Sequence, residues 1–201
     1  TADPNKVKRY FVIPHLSYEE AMELSHFGAK VVYPPSLQPA MKANIPILIK
    51  NTFKPDEEGT KISDESLPGP SIIKGISSID NITLLTVRGS GMIGVTGISA
   101  RLFGALADAG VNIIMITQAS SEHTITVAVL PGQAEAAEKA IEEEFRYELR
   151  DDIIDEVKVE NELSIVAVVS DDMRRKPGIS GRVFQALGKN GINVVATAQG
   201  S

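Results

Sequence analysis

Apolar and polar positions alternate along the middle of the chain in a pattern that predicts a βαββαβ unit. Residues 82–87 form a short, β-branched, apolar run that is typical of a strand. Apolar residues then recur at helical spacing from Ile98 to Ala109, and Gly110 ends this predicted helix. Strands at 111–117 and 124–130, a helix at 134–145 and a strand at 154–159 complete the prediction. This order is that of a split βαβ sandwich, with two helices on one face of an antiparallel sheet.

The pattern occurs twice, at a constant offset of 81 residues. Residues 97–120 align with residues 178–201, and 11 of these 24 positions are identical. Residues 82–87 align with residues 163–168 without a gap. We therefore predict two copies of one module, of which the second contributes only a strand, a helix and a second strand.

The first 70 residues have a different pattern. Ser17 followed by Glu20 forms a capping box, which predicts a helix that ends at Gly28. Residues 45–49 predict a short strand. Residues 51–70 are polar and rich in Gly and Pro, which indicates a linker or an ordered surface loop and a domain boundary near Pro70.

Composition argues against several classes of function. The 201 residues contain no Cys, which excludes disulfides, thiolate catalysis and Cys-ligated metals. The net charge of −6 makes a nucleic acid an unfavourable partner, and the central predicted strands lack the aromatic residues on which RRM domains stack bases. The chain has neither an apolar run of 18 residues nor a recognisable signal peptide. We therefore expect a cytoplasmic protein with no membrane partner.

Residues with catalytic chemistry are few and scattered. His15, His26 and His123 have no metal-ligand spacing, no serine stands in a nucleophile elbow, and we predict no metal site. The acidic run at 142–144 is typical of a solvated helix face. Residues 89–94 have the G-x-G-x-x-G spacing of nucleotide loops, but the second copy lacks these glycines. This disfavours a dinucleotide site and leaves open the binding of a small polar ligand.

Gln118 and Asn112 are stronger candidates for ligand binding, because each recurs in the second copy, as Gln199 and Asn193. A carboxamide offers a donor and an acceptor together, which suits a zwitterionic or hydroxyl-bearing small molecule. Pairing of a strand-end amide with the backbone is the structural alternative.

Several short blocks are spread over nearly the whole chain, and they comprise Thr1–Pro4, Leu16–Leu24, Phe27–Val31, Ile45–Pro46, Asn51–Phe53, Gly59–Thr60, Ile116–Glu122 and Ala198–Ser201. Together these blocks resemble the aspartate kinases, most closely the threonine-sensitive kind fused to homoserine dehydrogenase. The resemblance implies an α+β fold with tandem ferredoxin-like βαββαβ ACT modules after a short α/β remnant of the amino-acid kinase domain. The expected divisions are the kinase segment and linker at 1–70, a strand at 71–81 that completes the second module, the first module at 82–160 and a truncated second module at 161–201.

The resemblance also implies a function. The chain is expected to be the regulatory region of an enzyme that phosphorylates L-aspartate with ATP and Mg, and to bind L-threonine for feedback inhibition. L-Lysine is the alternative effector, and an ACT module of another amino-acid-metabolism enzyme is the alternative assignment. Homo-oligomers are expected through the ACT modules. The family's N-terminal glycine-rich block is missing, so we expect this piece to have no kinase activity, no catalytic residue and no cofactor of its own.

Site residues follow by position from the same resemblance. Lys30 is expected to contact nucleotide phosphates, and Lys6 follows Asn5, which stands where the family has an arginine. The effector is expected to bind at module interfaces, through the loop before the first helix and the start of the second strand. The residues concerned are Met92, Ile93, Gly94, Asn112, Ile113 and Gln118, with Met173, Asn193 and Gln199 at the matching places of the second module.

Overall fold

A computed structural model describes residues 2–29, 31–65, 73–118, 123–170 and 177–199. Helices and strands account for most of these residues. In chain order they are β1 (His15–Ser17), α1 (Tyr18–His26), α2 (Pro34–Lys42), β2 (Ile47–Ile49), β3 (Thr60–Ser63), β4 (Ile73–Arg88), a 3₁₀ turn (Ser90–Met92), α3 (Ile98–Asp108), β5 (Met115–Gln118), β6 (Thr124–Val129), α4 (Pro131–Glu144), α5 (Arg146–Arg150), β7 (Glu156–Ser170) and α6 (Ile179–Lys189).

The chain divides into two compact units. The first comprises residues 1–79 and 165–186, and the second comprises residues 80–164 and 187–201. The strands β4 and β7 and the helix α6 each contribute residues to both units. The domain divisions expected at residues 70, 81 and 160 stay predictions.

The first unit contains a three-stranded sheet of order β1-β3-β2, in which β3 runs parallel to β1 and antiparallel to β2. The predicted capping box is confirmed, because the Ser17 hydroxyl accepts from the Glu20 amide and the Glu20 carboxylate accepts from the Ser17 amide. Tyr18 donates to the Ile45 carbonyl at 2.6 Å. Tyr18, Leu37 and Ile62 are fully buried in the core of this unit.

A buried ion pair joins α1 to the beginning of β4. Lys74 Nζ lies 2.9 Å from Glu20 Oε2, and the Lys74 side chain is 2% exposed. Removing one partner of a buried ion pair is in general strongly destabilising. The pair therefore fixes the register between α1 and β4 within this unit.

Residues 51–70 were expected to be a linker or loop, but they contain β3, which is the central strand of the first sheet. The sequence Thr-Lys-Ile-Ser has only one large apolar residue, Ile62, and that side chain is 1% exposed. Strand formation here depends on hydrogen bonding to a strand on each side, which is tertiary context and not local propensity. The strand β1, also missed by the sequence pattern, is one of these neighbours.

The second unit has the predicted βαββαβ order and a four-stranded sheet of order β5-β6-β4-β7. Residues 83–88 of β4 pair antiparallel with 124–129 of β6, and β5 pairs antiparallel with β6. The core is formed by strand residues such as Leu85 and Val127, together with Leu102 and Leu106 of α3 and Ile141 of α4. This architecture confirms the expected fold class.

Several element boundaries differ from the predictions. The strand expected at 71–81, over its described residues 73–81, and the strand expected at 82–87 form one continuous strand, β4. The last strand of the module continues without a break to Ser170 as β7. The helix expected from Ala134 begins at Pro131, since proline suits the first turn of a helix. The strand expected from Val111 begins at Met115.

The internal repeat is also present in the backbone. The helices α3 and α6 have the same length and the same offset of 81 residues. Gly110 and Gly191 follow them with φ of 68° and 69°. The second strand expected in the second copy is not formed over residues 192–199, most of which are exposed. A single hydrogen bond, from Thr117 Oγ1 to the Thr197 carbonyl at 2.9 Å, joins this segment to β5 among the contacts described.

Candidate functional site

A pocket of about 480 Å³ lies in the second unit, between the loop that follows β4 and the beginning of α3. Its volume is within the range of small-molecule sites. The lining combines apolar side chains, two hydroxyls, one carboxamide and backbone. The residues are Met92, Gly94, Val95, Thr96, Gly97, Ile98, Ser99, Ala100, Gln118 and Ile125.

One wall of the pocket is the loop of residues 89–97. The Gly89 amide donates to the His123 carbonyl at 3.0 Å, which anchors the beginning of the loop. The Met92 side chain is 2% exposed and belongs to the hydrophobic core. The Val95 amide donates to the Met92 carbonyl at 3.1 Å, which closes a turn. The loop is thus anchored at its beginning by Gly89 and in its middle by the buried Met92, and Met92, Gly94 and residues 95–97 line the pocket.

The opposite wall is the first turn of α3. Gly97 is the N-cap residue, so no side chain caps the helix. The Arg101 amide is bonded to the Gly97 carbonyl, whereas the amides of residues 98–100 belong to the turn in which a helix offers donors without intrahelical acceptors. These three residues line the pocket. The helix dipole adds a partial positive charge at this end, so this wall suits a carboxylate.

The third side of the pocket comes from the sheet. Gln118 is the last residue of β5, and it is paired with Ile125 of β6. Ile125 is 1% exposed and provides an apolar surface, while the Gln118 side chain provides a donor and an acceptor. None of the described lining residues is acidic or basic. Such a lining can bind a small zwitterion that has a neutral side chain.

Comparison with known proteins identifies the family. A family model described as the ACT domain matches residues 85–145 and 166–201, and one for the amino acid kinase family matches residues 1–51. The bifunctional aspartokinase/homoserine dehydrogenase of Haemophilus influenzae is 43% identical over 202 residues, a match that covers 100% of this chain and 25% of that protein. The chain belongs to the aspartokinase family.

Solved aspartokinase structures share the fold. The aspartate kinase of Clostridium acetobutylicum matches 99% of this chain and 45% of its own, with a TM-score of 0.86 and 27% identity. Aspartokinase III of E. coli, in complex with aspartate and ADP, matches 100% of this chain and 44% of its own, with a TM-score of 0.81 and 26% identity. Its complex with lysine and aspartate gives a TM-score of 0.73. This aspartokinase chain spans about a quarter of the length of the curated relative it matches.

The structure brings together three of the residues expected to bind the effector of an aspartokinase. Met92, Gly94 and Gln118 line the pocket, and Ile93 lies in the same loop with its side chain largely exposed. Thr96, Ser99 and Ile125 were missed by the sequence reasoning. A signal existed for Ser99, because it is identical in the second copy, at Ser180.

Asn112 and Ile113 follow the other end of α3, a helix of 11 residues that is about 16 Å long. The Asn112 amide donates to Gln133 Oε1 at 3.3 Å, and Ile113 packs against the core. Neither residue lines the pocket. Asn193 and Gln199 lie in the exposed segment 192–199, and Met173 falls outside the described residues. Their roles in effector binding stay predictions.

The kinase-like part of the chain contains the two lysines expected to contact the nucleotide, Lys6 and Lys30. Lys6 Nζ donates to Ser78 Oγ at 2.7 Å, and Lys30 lies outside the described residues. A pocket of about 320 Å³ at the end of α1 is lined by Ser25, Ala29 and residues 31–34. In the described part of the chain, no group of three or more His, Asp or Glu side chains is placed to hold a metal, and no helix is long and apolar enough to cross a membrane.

Proposed function

We propose that this chain is the part of an aspartokinase that senses L-threonine, and that the pocket between the 89–97 loop and α3 is the sensing site. The observation that carries the proposal is the chemistry of the lining. It combines helix amides, the hydroxyls of Thr96 and Ser99, the carboxamide of Gln118 and an apolar surface at Ile125. Together these match a carboxylate, an ammonium group, a hydroxyl and a methyl group.

The proposed arrangement follows from the positions of these groups. The α-carboxylate faces the amides of residues 98–100, where the helix dipole favours an anion. The Gln118 carboxamide accepts from the ammonium group and donates to the ligand hydroxyl. The ligand methyl group contacts Ile125, whose side chain is buried. A ligand that lacked the hydroxyl would leave polar groups of the site without partners, which lowers affinity.

L-Lysine is the second candidate, because E. coli aspartokinase III has been solved in complex with lysine and aspartate. A bound lysine places a second ammonium group inside the site, and a desolvated ammonium needs a carboxylate partner. The described lining of the pocket contains no Asp or Glu. This difference in charge favours threonine over lysine.

In the whole enzyme, the proposed consequence of binding is feedback inhibition of the ATP-dependent phosphorylation of L-aspartate. A ligand that binds the inactive state more tightly shifts the enzyme toward that state, and substrate and effector affinities are then linked. Among the described residues, Lys6 donates to Ser78, and no group of three or more His, Asp or Glu side chains is placed to hold a metal. The proposal therefore concerns regulation and includes no step of phosphoryl transfer.

We further propose that the chain self-associates through its ACT modules. The strand β5 is at the edge of its sheet, and Ile116 on that strand is 47% exposed. Val194 and Val195 in the neighbouring segment are also exposed. Exposed apolar strand edges pair with other chains. Light scattering at tens of micromolar is expected to give a dimer or a larger species, and a monomeric mass would contradict this.

A panel of amino acids tests the proposed effector directly. Thermal unfolding of the chain is followed with L-threonine, L-valine, L-serine and L-lysine at equal concentrations. L-Threonine is expected to raise the melting temperature most, because a ligand that binds only the folded state stabilises it. L-Valine has nearly the same shape without the hydroxyl and is the matched control, expected to stabilise less. A larger shift with L-lysine than with L-threonine would overturn the assignment.

A further inference from the structure

Arg101 follows directly after the pocket-lining residues of α3 and joins this helix to α4 and α5. Its Nε donates to Glu144 Oε1 at 2.6 Å, and its Nη2 donates to the Glu144 carbonyl at 3.0 Å. Its Nη1 donates to Glu148 Oε1. The guanidinium also lies 4.8 Å from the centre of the Phe145 ring. One side chain therefore fixes the first turn of α3 against both following helices.

Glu148, on α5, is also connected to the loop on the other side of the pocket. Its carbonyl accepts from the amides of Ile153 and Ile154, at 2.9 and 3.1 Å. The backbone of Ile153 in turn packs directly on the loop. A Cβ added at Gly89 would lie 2.2 Å from the Ile153 carbonyl oxygen, and one added at Gly91 would lie 2.7 Å from the Ile153 Cα. Residues 89–91 are therefore in contact with the turn that closes on the Glu148 carbonyl, in addition to the bond from Gly89 to His123.

Both walls of the pocket are thus attached to one residue. The helix wall is attached through Arg101, and the loop wall is attached through the turn that closes on the Glu148 carbonyl. We propose that the Arg101–Glu148 ion pair is a positioning element of the effector pocket, which sets the position of residues 89–92 relative to the first turn of α3. This inference rests on the proposed function for its ligand readout, but the geometry it claims is present without ligand.

Glu148 and Glu144 differ in a way that makes them a matched pair for the test. The Glu148 side chain is 17% exposed, and its Oε2 has no hydrogen-bond partner among the described residues, so Arg101 is the partner that compensates its charge. The Glu144 side chain is 35% exposed, and its backbone carbonyl keeps a bond to Arg101 when the side chain is changed. The same Glu→Gln change should therefore loosen the pocket at position 148 much more than at position 144.

The first readout is affinity for L-threonine, measured by calorimetry on the wild-type chain, Glu148→Gln, Glu144→Gln and Arg182→Ala. Arg182 is the exposed equivalent of Arg101 in the second copy. Glu148→Gln is expected to weaken binding roughly 5- to 30-fold, and the other two variants to stay within about twofold of wild type. Wild-type affinity in Glu148→Gln, or an equal loss in Glu144→Gln, would overturn the proposal.

The second readout needs no ligand. Amide hydrogen exchange of the free chain is expected to be faster at residues 89–97 and at the first turn of α3 in Glu148→Gln than in Glu144→Gln, with exchange of β6 unchanged. If the ion pair only stabilised the unit as a whole, Glu148→Gln would speed amide exchange evenly across the unit, β6 included. That result would overturn the proposal. Failure of the wild-type chain to bind L-threonine would refute the proposed function, and the exchange pattern then decides on the ion pair by itself.

Discussion

The helices α3 and α6 have corresponding sequences at the same offset but very different surroundings. Leu102 and Leu106 of α3 are fully buried against a core that includes Ala137, Ile141 and Phe145. In α6 the buried residue is Ile179, and Phe184, the equivalent of Phe103, is 48% exposed. The repeat therefore sets helix length and capping in both copies, whereas burial depends on a packing partner such as α4. The local structure of each helix thus comes from its own sequence, whereas its contribution to stability comes from the elements that pack against it.

The largest expected difference between the copies is in how much stability is lost when a leucine is replaced by alanine. Leu106→Ala should reduce the free energy of unfolding by about 2–5 kcal/mol, because it leaves a cavity in a packed core. Leu187→Ala, the same change in α6, should cost about 1 kcal/mol or less, because that side chain is only half-buried. Urea unfolding of both variants measures the difference. Equal losses would show that α6 is packed as tightly as α3.

A smaller effect should be the same in both copies. Gly97 and Gly178 precede the two helices with φ of 91° and 87°, and an added Cβ would meet no atom of the described residues within 4 Å at either position. The substitutions Gly97→Ala and Gly178→Ala therefore cost only backbone strain, about 1–2 kcal/mol each. Urea unfolding should give two values that agree closely. A clear disagreement would mean that the repeat does not set the backbone of both helix starts equally.

The smallest expected effect is the pH dependence of stability that comes from the Arg101–Glu148 ion pair of the first copy. The hydrogen bond from Arg101 lowers the pKa of Glu148 below the ordinary value of a glutamate side chain. A carboxyl with a lowered pKa in the folded state stabilises the fold above the unfolded pKa, and this stabilisation disappears as pH falls through the lowered value.

The contribution of Glu148 should be about 1 kcal/mol or less, because the Arg101 side chain is 40% exposed. Urea unfolding of wild type and Glu148→Gln between pH 7 and pH 3 tests this. The difference in stability between them should be largest at neutral pH and vanish under acid conditions. A difference that grows as pH falls would contradict the assigned sign.

Much of the fold was predictable because local signals and packing agree. The capping box at Ser17 gave the beginning of α1, and the apolar spacing after Gly97 gave α3 almost to the residue. The strand β3 was not predictable, since its polar sequence becomes a strand only between two neighbours. The segment 192–199 was predicted as a strand from its likeness to 111–118, but it lacks the ladder that β6 provides for β5.

The candidate site was predictable only in part. Met92, Gly94 and Gln118 were identified by position, and all three line the pocket. Asn112 recurs in the second copy just as Gln118 does, yet it lies at the far end of α3 and not at the pocket. Repetition in sequence does not distinguish a ligand contact from a residue that follows a helix. Thr96 and Ile125 line the pocket because the loop packs next to the sheet, and this tertiary contact cannot be predicted from a local sequence pattern.

The central claim is that L-threonine binds through Gln118, and calorimetry with a matched pair of variants tests it most directly. Gln118→Ala removes the carboxamide from the pocket, and Gln199→Ala makes the same change at the equivalent position of the second copy. We predict that wild type binds L-threonine, that Gln118→Ala binds it about 5- to 150-fold more weakly, and that Gln199→Ala loses less than Gln118→Ala. Undiminished binding by Gln118→Ala, or binding of L-lysine without binding of L-threonine, would contradict the account.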